Sequence, residues 1–220
     1  MIEYSAVLEQ MGPPQFKCHY YNSGAFGFSE SANARTLAWI GPEDSTIRQE
    51  TQALTRRVAP PYEATLAKMA TRLWQDQIGG RAWVMPKSHW AFELGHGSRE
   101  WMPALIDGLG LDFGLLENKT NAAAIEFTAD EPEPFERFLT GLLTLLHGSD
   151  FMIAFPGREI LCTLHHHKQL WWTTTEAEVI RAVESLADEH RAEGDGPGHR
   201  RRRRTRLDRI PFRPLARTRR

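Results

Sequence analysis

Cysteine is scarce in this chain. Its 220 residues hold two, Cys18 and Cys162. Two are too few for a disulfide framework or a cysteine metal site, and the default they set is a reduced, cytoplasmic protein. Long apolar runs are also missing. No stretch reaches the roughly 18 residues a membrane span needs, so no membrane partner is expected. The opening MIEYSAVLEQ carries Glu3 and has no basic segment leading into an apolar one, so it does not read as a signal peptide. The chain has no G-x-S-x-G, no P-loop and no G-x-G-x-x-G. The commonest signatures of serine hydrolases, nucleotide triphosphatases and dinucleotide binders are therefore absent.

The composition that remains is that of a globular protein, with 41% hydrophobic and 25% charged residues. The length suits one domain that buries roughly 70% of the surface of its unfolded chain. The formal charge of -1 conceals an asymmetry. Between Arg200 and Arg220 stand eleven arginines and one aspartate, a balance of +10, so the rest of the chain carries -11. An acidic body ends in a basic tail. The expected boundary lies at residue 192. Residues 1–192 form the domain, and 193–220, rich in Gly, Pro and Arg, form a disordered tail.

Hydrophobic periodicity orders the body. A short helix is expected over 3–11. Residues 15–21, 25–31 and 35–40 alternate as three strands of an antiparallel meander, with turn chemistry at Asn22-Ser23-Gly24. A weak apolar stripe (Ile47, Leu54, Val58) suggests a helix over 45–58. Leu66, Met69, Ala70, Leu73 and Trp74 recur at three and four, which predicts a helix over 62–78 ended by Gly79-Gly80. Residues 81–95 read as a strand region in which Trp90, Phe92 and Leu94 alternate with His89, Ala91 and Glu93. A helix follows Ser98, a strand covers 121–127, and acids at Glu131 and Glu133 open an apolar helix. Residues 150–175 read as a hairpin turning at Pro156-Gly157. The last helix starts at a capping-box pattern, Thr175 to Glu178. Strand pairs separated by long helices predict α+β architecture, with an antiparallel or mixed sheet covered by helices mainly on one face.

The hairpin holds the candidate chemistry: His165-His166-His167-Lys168-Gln169 sits between the apolar ILCTL and LWW. A polar insert in an apolar strand marks a cleft or a bend more often than plain surface. On a continuous strand, His165 and His167 project together with Gln169 and Trp171, while His166 points the other way. Two imidazoles at that spacing can hold a divalent transition metal such as zinc. A third ligand is then required. Of His89, Glu93, His96, Glu126 and Asp150, the 89–96 region is the best source, which makes His165, His167, His89 and His96 the metal set. Glu93 is the candidate general base. The plainer alternative is a solvated face of histidines beside Trp171. Cys162 lies on the opposite strand face from His165 and reads as a small buried hydrophobe. Trp171 and Trp172, being adjacent, face opposite ways, so one of them leaves the core.

Three functional classes follow. The first is a non-enzymatic binding module for another protein or a small ligand, using His165, His167, Gln169 and Trp171. The second is a metal-dependent, hydrolase-like enzyme on the His-x-His pair. The third is nucleic-acid association through Arg200, Arg201, Arg202, Arg203, Arg204 and Arg206, whose charge favours phosphate contact by counterion release. The first needs the fewest coincidences.

Overall fold

In a computed structural model of the chain, residues 1–10, 17–20, 26–29, 33–41, 54–87, 90–95, 98–112 and 122–191 are described. The strands are β1 (Ile2–Glu3), β2 (Lys17–Tyr20), β3 (Phe26–Ser29), β4 (Arg35–Ile40), β5 (Leu54–Arg57), β6 (Ala82–Pro86), β7 (Ala122–Phe127), β8 (Phe151–Ala154), β9 (Ile160–His165) and β10 (Gln169–Thr174). The helices are α1 (Tyr4–Gln10), α2 (Tyr62–Leu73, continued by a π-helical turn Trp74–Ile78), α3 (Trp90–Gly95), α4 (Met102–Asp107), α5 (Pro132–Leu145) and α6 (Ala177–Glu189). Ser98–Glu100 adds a 3-10 turn.

Eight strands make one sheet in the order β1-β7-β6-β8-β9-β10-β4-β5. Every neighbouring pair is antiparallel except β4 with β5, which is parallel. This is the expected α+β class with a mixed, mostly antiparallel sheet. Alternation along the strands sends one set of side chains toward the helices. Leu37, Trp39, Val84, Ile125, Phe151, Ile153, Cys162, Leu164, Leu170 and Trp172 join Leu66, Leu73, Phe135, Phe138, Val179 and Val183 in the main core. Each such side chain contributes roughly 1.5–3 kcal/mol on burial. The other set makes a smaller cluster: Val7 of α1 with Trp83, Met85, Ala124, Met152, Ala154 and Leu161. Central strands β6 and β8 are therefore buried on both faces. Among the described residues no helix is long and apolar enough to cross a membrane.

Several local expectations are corrected. The first three strands are not one meander. Among the described residues β2 and β3 pair only with each other, and β4 joins the main sheet beside β10 because its Leu-Ala-Trp-Ile segment is buried there. Residues 54–57 are strand rather than helix, paired in parallel with β4. The strand expected over 81–95 stops at Pro86. Residues 90–95 are helical, with Trp90 and Leu94, four apart, buried and Phe92 40% exposed. The expected capping box does not form. Glu176 is the N-cap of α6, its backbone N–H donates to Thr174 Oγ1, and Thr175 hydrogen-bonds Glu159 instead.

The 150–175 stretch is three strands, not two. β8 turns into β9 at Pro156-Gly157, where Arg158 N donates to Phe155 O at 2.9 Å and Gly157 has φ +79°. That is a type II turn, whose third position requires the left-handed conformation glycine adopts freely. β9 then ends at His165, pairs it with Gln169, and leaves His166-His167-Lys168 as a three-residue loop.

Candidate functional site: a histidine turn

A three-residue hairpin loop ends with a residue in the left-handed region, most often glycine or asparagine. Here that residue is Lys168, at φ 59°. The conformation costs a non-glycine residue roughly 1–2 kcal/mol. Long-range contacts on both sides of Lys168 offset it. Its ammonium pairs with Glu63 in the first turn of α2. Its carbonyl accepts from Gly41 N at 3.1 Å, at the end of β4. Gly41 has to be small, because a Cβ there would meet Tyr62 Cβ at 3.0 Å and Lys168 O at 3.1 Å. The Lys168 ammonium holds the Glu63 carboxyl below its ordinary value; hydrogen bonding to the charged form is the main cause.

The same loop brings all three imidazoles together. Ring centroids are 4.3 Å apart for His165–His166, 5.0 Å for His165–His167 and 4.3 Å for His166–His167. One nitrogen from each lies within 4.8 Å of the others. Strand alternation, which set His166 apart from His165 and His167, does not operate past the end of β9. Asp150, just before β8, completes the cluster. Its Oδ1 accepts from His166 N at 3.2 Å, lies 2.9 Å from His166 Nδ1 and 3.9 Å from His165 Nε2. His167 N donates to His165 Nδ1 at 3.2 Å. His165, His166 and Asp150 are half-buried and His167 is exposed, so the cluster faces solvent on one side.

Other expected site residues fall elsewhere. Glu93 is 1% exposed on α3 and accepts a hydrogen bond from Ser149, the residue before Asp150. Glu126 receives Trp83 Nε1 at 2.8 Å and Arg81 at 3.3 Å, a structural engagement on β7. Gln169 is buried and accepts from Trp171 Nε1 at 2.9 Å; Trp171 is half-buried on the sheet face away from the main helices. Trp172 packs in the main core between Trp39 and Phe155. Cys162 is fully buried, and burial pushes its thiol well up, which suits an inert core residue. His89, His96, Glu117 and the arginines from Arg200 onward lie outside the described residues.

Sequence reasoning set His166 apart from the cluster and, though it offered Asp150 as a possible third ligand, did not link it to His166. The signal lay in the polarity of HHHK: with His165 ending one strand, the three polar residues after it are long enough to be a turn before the next.

Three neutral imidazoles with one open side are a ligand set for zinc, copper or nickel rather than for magnesium or calcium. Zinc–nitrogen bonds of about 2.0–2.1 Å give tetrahedral edges near 3.3 Å. Side-chain adjustment of up to about 1.5 Å would bring the nitrogens to that spacing. Searches against protein-family models, curated proteins and solved structures return no match to this chain.

Proposed function

We propose that the protein is a binding module whose ligand is a divalent late transition metal such as zinc, held on the turn by His165, His166 and His167. One observation carries the reading: one ring nitrogen from each of three consecutive histidines lies within 4.8 Å of the others, on a loop anchored to three distant parts of the fold. A solvated histidine face does not need those anchors. A ligand set that the fold already gathers reduces the ordering that binding must otherwise supply. Imidazole binds metal in its neutral form, so uptake is accompanied by proton release from any protonated ring.

The test is zinc titration of the full-length chain, followed by calorimetry and by metal analysis after dialysis. One equivalent per chain is expected to bind saturably. The triple substitution His165→Ala, His166→Ala, His167→Ala is expected to lower the affinity by more than about 100-fold, above the 10–100-fold range of an outer-shell change. Equal zinc uptake by wild type and triple variant would sink the reading.

A further inference from the structure

Which nitrogen each histidine offers follows from its hydrogen bonds. An ionised carboxylate oxygen only accepts. Asp150 Oδ1, 2.9 Å from His166 Nδ1, therefore accepts a hydrogen bond from Nδ1–H, and the lone pair of neutral His166 lies on Nε2. The same oxygen takes the backbone N–H of His166 at 3.2 Å, so Asp150 grips both ends of this residue. His165 is wired the opposite way. A backbone N–H only donates, so His165 Nδ1 is the acceptor for His167 N and its neutral ring carries the proton on Nε2. To coordinate a metal, His165 has to give up that 3.2 Å bond or move its proton.

We propose that Asp150 is the positioning residue of the histidine turn and that His166, through Nε2, is its anchor ligand. This rests on the metal-binding reading above. Asp150 orients the His166 ring and fixes its tautomer, as carboxylates behind metal-bound histidines do. His165 and His167 then close on a metal already held by His166, and the N–H of His167 is released from His165 in the process. The inputs come from two places in the chain: Asp150 stands before β8, and the turn follows β9. β8 and β9 are hydrogen-bonded neighbours with Phe151 opposite Leu164, which sets Asp150 beside His165 and within reach of His166.

The experiment uses the full chain labelled with nitrogen-15 histidine, as wild type, Asp150→Asn and Asp150→Glu. Imidazole spectra are recorded well above the ordinary histidine pKa of about 6.5, first metal-free and then with cadmium-113 as the probe. Wild-type His166 is expected to be protonated on Nδ1, with cadmium coupling to its Nε2. Asp150→Asn is expected to let His166 populate both tautomers and to weaken zinc binding 10–100-fold. Asp150→Glu should recover part of both. A role limited to holding the fold would move neither the tautomer nor the coupled nitrogen. Thermal melts of the metal-free variants check that each still folds. Cadmium coupling to His166 Nδ1, or unchanged zinc affinity in a folded Asp150→Asn protein, would overturn the assignment. If the wild type takes up no metal, the binding reading fails, while the metal-free tautomers still decide whether Asp150 orients His166.

Discussion

Trp39 and Trp172 pack in the same core, ring centroids 5.3 Å apart and planes tilted by 60°, yet their indole N–H groups meet different ends. Trp39 Nε1 donates to Val183 O of α6 at 3.0 Å. Among the described residues, the buried Trp172 Nε1 has no hydrogen-bond partner. An unmade buried bond leaves the desolvation penalty of its donor uncompensated, and a made one contributes about 1 kcal/mol net. Replacement by phenylalanine deletes the N–H in both cases and costs similar packing. Trp39→Phe is therefore expected to destabilise the protein by more than about 1 kcal/mol relative to Trp172→Phe, which also removes an uncompensated donor. Urea melts with equal m-values measure the difference; equal midpoint shifts would show that the Trp39 bond contributes nothing net. That Trp171 and Trp172 part company was legible in the sequence, because alternation is a property of two adjacent residues on a strand. The fate of each N–H was not, since Val183 lies 144 residues from Trp39.

At the level of elements, the long apolar segments could be read and the places where they stop could not. The helix over 62–78 and the last helix carry stripes at three and four, and one face of each is buried as that spacing requires. WAFEL after β6 fits period 2 and period 3.6 equally over so few residues, and tertiary packing of Trp90 against Phe151 decides for helix. The His-rich turn was hidden for a similar reason. Its left-handed position holds a lysine, not glycine, and the partner that stabilises it, Glu63, is 105 residues away. That pair makes the turn acid-sensitive. The Glu63 carboxyl is lowered from 4.5, so its stabilising effect is complete above that value and is lost as the pH falls through its lower folded value. Glu63→Gln is expected to lower stability by up to about 1 kcal/mol at neutral pH, since both groups are partly solvated. The deficit should vanish in acid; a pH-independent deficit would mean the charge on Glu63 is not what holds the turn. Gly41→Ala acts on the other anchor. It pushes on the Lys168 carbonyl and Tyr62, and it is expected to weaken zinc binding together with stability, measured by calorimetry and urea melts on the same sample.

For the molecule as a whole, the balance of alternating strands and amphipathic helices implied an α+β layer, and the sheet with helices mainly on one side agrees. Strand order was out of reach, because pairing β4 with β10 joins segments more than a hundred residues apart and no local pattern encodes it. The site depends on that order: β4 brings Gly41, α2 brings Glu63, and β8 brings Asp150 to one turn. Three consecutive histidines also bind metal in an unfolded chain, so the global thermodynamics discriminate a built site from a mere sequence run. A ligand that binds only the folded state at 100 times its Kd adds about 2.7 kcal/mol. For a chain of this size each kcal/mol raises Tm by roughly 2–4 °C, which gives an expected rise of roughly 5–10 °C. Binding to the unfolded state subtracts from this in proportion to its own affinity. Calorimetric melts at increasing free zinc should therefore show a rising Tm in the wild type, a smaller rise in Asp150→Asn and none in the triple histidine variant. Saturable zinc binding with no change in Tm would mean that the metal recognises the HHH run equally in both states, and that the anchoring of the turn by β4, α2 and β8 adds nothing to its affinity.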